Sequence, residues 1–409
     1  VDEIAVIGPG LMGRGIAQVC AASGLRVWLL GRDAASARAG RERLAQALAR
    51  QVERGKLGGA QADALMSRIE AAPDDSCLAR CGAAIESAPE DRPLKAAVLR
   101  RLQAGLPPAA WIATNTSGLP VTGLATALAD PTRLIGLHFF SPVERMKLVE
   151  VVRGQATAAA TLEHALAFVR SLGQVPVVVR DGPGFFTSRV FAAYLDEAIA
   201  MVGEGVDPAR VDAAGLRLGR AIGPLALLDD IGLALNLQQA RQARADGLPP
   251  EHCRPLAEPV LAALVGAGRA GRRGGGGFYD LADDGGRTPW SGLAALFPPA
   301  AQAAGDDTLA LRLRCAEALA ALPCLEQGVV HSADDADTAS LLGLGFPKAQ
   351  GGILRWCEQH GLTRLLADCD RLAVSVGDRF TPSSWLRERA ADPWALGPWR
   401  QPSNQRTSP

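Results

Sequence analysis

Neither sign of charge is in excess: Lys+Arg and Asp+Glu both number 43, so the formal net charge is zero. That argues against nucleic acid as the main partner and against binding to a broad anionic membrane surface. It leaves room for a local basic patch that takes a phosphorylated small molecule. No apolar run reaches the roughly eighteen residues of a membrane helix. No signal peptide precedes the first predicted strand, which begins almost at residue 1. The eight cysteines show no paired metal-ligand spacing, since Cys77 and Cys81 have no matching second pair. No metal site is expected; the thiols point to a reducing compartment, and the chain is assigned to the cytoplasm. Five histidines leave few choices for an imidazole base. The chain starts with Val rather than Met, as expected of a processed or excised piece of something longer. What is present is ordinary for a cored protein of two or three domains: 409 residues, 48% hydrophobic and 21% charged.

Residues 3–7, "EIAVI", form a short apolar run with β-branched residues. The turn "GPGLMG" (Gly8–Gly13) follows, then a helix-period pattern closed by Gly24 and a second strand, "RVWLL". A GxGxxG between strand and helix, with a second strand at this distance, is a dinucleotide-binding layout. Gly8 permits the tight turn, Gly10 lets a pyrophosphate approach the backbone, and Gly13 lets the helix pack on the sheet. Leu11 and Met12 lie between them at the helix N-terminus, which faces the phosphates.

Residues 34–70 have helical spacing, broken by "RGKLGG" at 54–59 into a helical hairpin. Short strands then recur near 83–87, 110–115, 133–140, 147–152 and 175–179, with helical stretches between several of them. This predicts a mostly parallel sheet with helices on both faces. After "DGPGFF" (181–186) the pattern turns helical, with loops expected at 246–259 and 268–297; within the second, "GRRGGGGFYD" (271–280) reads as a loop followed by a short extended piece. Residues 204–233 resemble 327–362, so a helical domain is expected twice. The fold class is α/β: a doubly wound Rossmann-type domain over 1–181, then two related all-α domains at 182–297 and 298–395. A poorly ordered tail is expected at 396–409.

Candidate chemistry lies at strand ends, outside which ligands of doubly wound sheets bind. "TNTSGLP" (114–120) puts Ser117 just past a strand. "GLHFFSPVERMKLVEVV" (136–152) puts His138 at the end of another strand and Glu150 within the next. A histidine held by a carboxylate is a general base near neutral pH, and a serine hydroxyl can bond a substrate oxygen. A structural histidine satisfied in the core fits the spacing equally well.

These segments, with "DGPGFFTSRVFAAYLDEA", "GRRGGGGFYD" and "EQGVVHSADDADTASLLGLGFPKAQGGIL", resemble the L-3-hydroxyacyl-CoA dehydrogenase family. The similarity covers roughly residues 3–392. It extends to the dehydrogenase part of multifunctional fatty-acid β-oxidation proteins, which carry the helical domain twice. The resemblance implies NAD(H)-linked interconversion of (3S)-3-hydroxyacyl-CoA and 3-ketoacyl-CoA. It gives His138 as the base, Glu150 as its orienting partner and Ser117 as the group bonding the reacting oxygen. Glu90 and Lys95 match positions lining the cofactor cleft; a solvated helix start is the alternative for both. Lys56, in the hairpin, is a candidate contact for a phosphate of the acyl-CoA thioester. No enoyl-CoA hydratase domain precedes the dinucleotide-binding unit, so that activity is not expected of this chain. The duplicated helical domain implies a monomer built as a pseudo-dimer, or a homodimer, within a larger multifunctional chain or complex. Two rival readings share the scaffold: a non-catalytic or cofactor-sensing protein, and a dehydrogenase of free 3-hydroxy acids.

Two positions depart from the family pattern. Ser188 stands where many members have an asparagine that reaches the active site; serine keeps the hydrogen-bonding capacity but is shorter. Gly31 ends the second strand, where an acidic residue usually binds the NAD ribose and repels the NADP 2′-phosphate. Gly31 is expected to leave space beside the ribose, and Arg32 can reach a phosphate. NADP(H) is therefore expected to be usable, alongside or in preference to NAD(H). The competing expectation is that Asp33 replaces the missing carboxylate.

Overall fold

The computed structural model describes residues 1–249, 252–301, 304–391 and 396–397. These fall into two compact units: Val1–Phe185 with Val329–His331, and Phe186–Gly328 with Ser332–Pro409. The expected tail lies outside the described residues, save for Leu396 and Gly397.

The first unit alternates strand and helix in chain order. It runs β1 (Glu3–Ile7), α1 (Leu11–Ala22), β2 (Arg26–Leu30), α2 (Ala34–Glu53), α3 (Gly59–Met66), β3 (Ile69–Ala71) and β4 (Ala83–Glu86). It continues with α4 (Arg92–Gly105), β5 (Trp111–Thr114), α5 (Val121–Ala125), β6 (Leu134–Phe139), β7 (Leu148–Arg153), α6 (Ala159–Ser171) and β8 (Val175–Arg180). One sheet results, in the order β3-β2-β1-β4-β5-β6-β7-β8. The chain reverses its direction of winding between β1 and β4, which opens a crevice at their carboxyl ends, the ligand position of doubly wound sheets. The central strands are buried throughout, as near-continuous apolar runs covered by helices on both faces require.

Local chemistry sets the helix ends. Asp33 caps α2 by accepting from Ser36 N at 2.7 Å, and the Ser36 hydroxyl answers in a capping box. Asp91 caps α4 through Leu94 N at 2.8 Å, with Pro93 in the first turn. Two features were not legible beforehand. β3 is a three-residue edge strand too short to show alternation. β7 runs antiparallel to β6, and β8 parallel to β7, so the far side of the sheet is mixed. A short return of the chain also bonds β8: Val330 bridges Val179, and Arg180 N donates to Val329 O at 2.8 Å.

The second unit contains α7 (Thr187–Gly203), α8 (Pro208–Arg217), α9 (Pro224–Ile231), α10 (Leu233–Ala245) and α11 (Ala257–Gly266). A hairpin of β9 (Tyr279–Leu281) and β10 (Arg287–Pro289) follows, then α12 (Leu293–Leu296). The chain goes on through α13 (Asp306–Glu326), α14 (Ala333–Gly343), α15 (Ile353–His360), α16 (Leu362–Ser375) and α17 (Ser384–Arg389). Three local expectations are corrected. α11 begins inside the segment read as a loop to 259, because Pro259 occupies its first turn, where proline lacks no needed donor. In the segment 268–297 the expected extended piece is β9, but it pairs with β10 in a hairpin and α12 follows, neither of which was expected. The unit is thus not wholly helical.

Two stretches of this unit use the same capping device. Asp212 on α8 accepts from Leu225 N and Ala226 N at the start of α9, at 2.7 and 3.1 Å. Asp337 on α14 accepts from Leu354 N and Arg355 N at the start of α15, at 2.8 and 2.9 Å. Each start needs a glycine, since a Cβ on Gly223 or Gly352 would lie 2.3 or 2.4 Å from an atom of its aspartate side chain. Gly232 and Gly361 then join α9 to α10 and α15 to α16 at φ of 112° and 86°.

Candidate active site

The glycine turn is shaped to admit phosphate. Gly8 has φ of 105°, and a Cβ there would lie 2.3 Å from the Ser87 carbonyl at the end of β4. A Cβ on Gly13 would lie 2.0 Å from the Gly8 carbonyl, whereas one on Gly10 would meet nothing within 4 Å. Two glycines therefore serve close packing, and the third leaves an open approach. α1 starts there with no side-chain cap and no acidic residue in its first turn. Its first backbone N–H groups and its dipole favour an anion. Leu11 is exposed beside them and Met12 is half-buried. The cradle fits the pyrophosphate of a dinucleotide.

At the end of β2 the structure corrects the expected space. Gly31 is buried, and a Cβ there would lie 2.1 Å from Ser36 Oγ and 2.9 Å from Ala37 N. Ser36, the helical partner of Asp33 in the α2 capping box, fills the volume that a longer side chain would need. Asp33 Oδ1 is committed to that cap, and its hydrogen bonds from Ser36 hold the carboxyl below the usual range. Arg32 is 89% exposed in its side chain, with Nε 3.5 Å from Asp33 Oδ2.

His138 and Glu150 meet because β6 and β7 are antiparallel. The two residues are directly opposed in the register, so their side chains leave the same face of the sheet. His138 Nδ1 lies 2.7 Å from Glu150 Oε2, with Glu150 fully buried and His138 8% exposed. An ionised carboxylate only accepts, so Nδ1 carries the proton and Nε2 is the basic nitrogen. Phe140 packs on the imidazole at 4.3 Å between ring centroids, and Phe185 stands at 6.2 Å.

Ser117 lies in the turn after β5, and that turn is held by carboxylates and one amide. Asn115 Oδ1 accepts from Phe139 N at 2.9 Å, tying the turn to the residue after His138. Glu90 Oε1 accepts from Thr116 Oγ1 at 2.5 Å, Ser117 N at 3.0 Å and Gly118 N at 3.3 Å. Asp181 accepts from Val121 N and Thr122 N at 2.9 and 2.6 Å, at the start of α5. Beneath Glu90 lies Lys95, which is 1% exposed, so the reading of a solvated helix start is wrong for it. Its ammonium donates to both oxygens of Glu86 at 3.0 and 3.1 Å and to Ala88 O at 3.1 Å, and stands 3.4 Å from Glu90 Oε2. Sequence reasoning passed over Glu86, Asn115 and Asp181. One signal was available for Glu86: an acidic residue closing the apolar run "AAIE" must find partners when the strand is buried.

Two candidates lie on other elements. Lys56 lies in the exposed turn between α2 and α3. Ser188 lies in the first turn of α7, in the second unit. Among the described residues no group of three or more His, Cys, Asp or Glu side chains is placed to hold a metal ion. No described helix is long and apolar enough to cross a membrane.

Comparison with known proteins gives this geometry its context. Residues 3–182 match the model of the 3-hydroxyacyl-CoA dehydrogenase NAD binding domain, and residues 184–281 that of the 3-hydroxyacyl-CoA dehydrogenase C-terminal domain. The fatty acid oxidation complex subunit alpha of Psychrobacter sp. (strain PRwf-1) is 32% identical over 399 residues, which cover 96% of this chain and 55% of that protein. The chain thus spans about half the length of this relative. The crystal structure of 3-hydroxybutyryl-CoA dehydrogenase from Escherichia coli K12 superposes with a TM-score of 0.81 at 29% identity, covering 96% of this chain and 98% of that one. (S)-3-hydroxybutyryl-CoA dehydrogenase from Ralstonia eutropha is 34% identical, with a TM-score of 0.63 over 68% of this chain and 98% of its own. The nucleotide cradle is accordingly that of an NAD binding domain, and the chain belongs to the 3-hydroxyacyl-CoA dehydrogenase family.

Proposed function

We propose that the chain interconverts (3S)-3-hydroxyacyl-CoA and 3-ketoacyl-CoA thioesters, the redox step of fatty-acid β-oxidation. The observation that carries this reading is the buried His138–Glu150 pair at 2.7 Å, with one imidazole nitrogen left for substrate. The bound dinucleotide supplies a hydride acceptor for oxidation and a hydride donor for reduction. In the oxidative direction His138 Nε2 takes the hydroxyl proton as the C3–O bond becomes a carbonyl; in reduction it returns that proton. Glu150 keeps Nδ1 protonated and stabilises the imidazolium that forms. Ser117 donates a hydrogen bond to the reacting oxygen as its charge changes. The cradle Gly8–Gly13 holds the pyrophosphate, with Glu90 and Lys95 beside it, and Lys56 meets a phosphate of the CoA moiety. Turnover of acetoacetyl-CoA with NADH or NADPH tests the reading. Its absence would favour a cofactor-sensing protein, and activity on free 3-hydroxybutyrate but not its CoA thioester would favour the other rival.

For the cofactor we propose that NAD(H) is used and NADP(H) accepted. No carboxylate side chain projects from position 31 to repel a 2′-phosphate, and the exposed Arg32 guanidinium contacts Asp33 at 3.5 Å. A charge-assisted hydrogen bond is worth about 1.5–3 kcal/mol, roughly ten- to a hundredfold in affinity. Arg32→Ala should weaken NADP(H) by that factor and hardly alter NAD(H). Equal kcat/KM changes for both cofactors, or none, would return Arg32 to a turn residue. Gly31→Asp is a poor reporter, because Ser36 must first move out of its way.

We further propose that residues 298–395 repeat the helical domain of 182–297. The paired caps of Asp212 and Asp337 and the paired Gly232 and Gly361 joints support it. A repeat within one chain supplies the surface that a second subunit would otherwise offer, so a monomer is expected. Its relatives' name suggests a place in a larger complex, and the free thiols suit the cytoplasm.

A further inference from the structure

Glu86 is fully buried at the end of β4, directly under the turn that carries Ser117. Burying a carboxylate is costly unless every lone pair finds a partner. Glu86 meets that condition. Oε1 accepts from Ala88 N at 2.5 Å and from Lys95 Nζ at 3.0 Å. Oε2 accepts from Lys95 Nζ at 3.1 Å and from Thr114 Oγ1 at 2.6 Å, on the last residue of β5. With no exposed surface and its acceptor sites taken, Glu86 has nothing left to offer a ligand.

Its partners carry its effect outward. Lys95, held by Glu86, stands 3.4 Å from Glu90 Oε2. The other Glu90 oxygen gathers Thr116 Oγ1, Ser117 N and Gly118 N, with Ser117 Oγ at 3.4 Å. Each link is charged on at least one side: Lys95 and Glu90 form an ion pair at 3.4 Å, and the hydrogen bonds to Glu86 and Glu90 are charge-assisted, roughly twice as strong as neutral ones. The chain Glu86–Lys95–Glu90 runs from the sheet to the turn, and Thr114 ties Glu86 to the strand entering that turn. A neutral side chain at 86 would leave the buried ammonium with Glu90 as its only carboxylate and draw Glu90 away from the Ser117 turn.

We propose that Glu86 is a positioning residue: through Lys95 and Glu90 it fixes the Thr116–Gly118 turn, and with it the amide and hydroxyl of Ser117. The proposal rests on the reading that Ser117 bonds the reacting oxygen. Misplacing such a group by a fraction of an ångström costs rate without removing any contact to substrate.

The test is a double-mutant cycle on the full chain, read with kcat for acetoacetyl-CoA reduction and with amide hydrogen exchange over residues 114–120. Glu86→Gln should lower kcat about ten- to a hundredfold and speed exchange at Ser117 and Gly118. In a Ser117→Ala background the same substitution should cost less than about threefold, because the two act through one group. An equal loss in both backgrounds overturns the proposal, as does exchange at wild-type rates in Glu86→Gln. If Ser117→Ala turns over normally, the reading of Ser117 fails instead. Exchange alone then decides whether Glu86 orders the turn. Should Glu86→Gln be too unstable to assay, the pair Glu86→Gln with Lys95→Met removes both buried charges together and carries the same cycle.

Discussion

His138 shows how little of an active residue is its own chemistry. An imidazole in water titrates near neutrality and can offer either nitrogen; here the carboxylate opposite commits Nδ1 and leaves Nε2. His138→Ala should therefore lower kcat by about 10²–10⁴-fold, the usual cost of a lost general base. KM for the acyl-CoA should rise far less. Glu150→Gln keeps a hydrogen-bond acceptor but loses the charge that favours the imidazolium. It should reduce kcat with cofactor affinity nearly intact. Steady-state kinetics with titration of the cofactor separates the two effects, and wild-type turnover by either variant would remove His138 and Glu150 from the mechanism. Residue types and strand ends were readable along the chain. The burial of Glu86 and the seating of Ser36 against Gly31 were not, since each depends on an element arriving from elsewhere.

At the scale of elements, the helical unit is organised by aspartates that reach across to neighbouring helix or strand starts. Asp229, on α9, accepts from Phe278 N and Tyr279 N at 2.9 and 3.0 Å at the entry to β9. Its burial outweighs those hydrogen bonds and raises the carboxyl from 3.8 to about 6. A raised carboxyl means that the folded protein binds more protons than the unfolded chain between those values. Stability should consequently fall as pH rises from about 4 to about 6, and level off above. A shift of this size corresponds to about 3 kcal/mol. Asp229→Asn should flatten that slope while losing one of the two backbone hydrogen bonds, and denaturant unfolding at a series of pH values would show it. Identical pH dependence in both proteins would mean that Asp229 titrates alike in the folded and unfolded chain. Removing a cap should act without pH. Asp337→Ala leaves Leu354 N and Arg355 N without their acceptor and should cost roughly 1–3 kcal/mol in unfolding free energy.

Over the whole molecule, the later helices complete the core begun by the earlier ones of the same unit. Leu309 and Leu313 of α13 pack in one cluster with Tyr194, Ile199, Leu225 and Phe278. Arg312 and Arg379 both bond Glu197, which is 3% exposed. Ending the chain at residue 297 would strip apolar faces of α7 and α8 and remove both cations that hold Glu197. Such a truncation should aggregate or dimerise through the bared surface. Size-exclusion chromatography with light scattering would detect either, whereas a soluble, fully active monomer would contradict the role given to α13.

The sequence alone determined the class of fold and the family. Both are written in short-range features: a glycine turn between strand and helix, apolar runs of strand length, and motifs within a few dozen residues. The alternation of such elements gives a mostly parallel sheet, but the order of its strands and the antiparallel β7 belong to the tertiary structure. What the tertiary structure decided is which of those features meet. That β6 and β7 oppose His138 to Glu150, that Ser36 fills the place beside Gly31, and that Glu86 ends beneath the Ser117 turn all depend on register and packing between distant segments. A side chain's neighbours along the chain set its conformation. Its protonation, reach and freedom are set by groups brought against it when water is excluded.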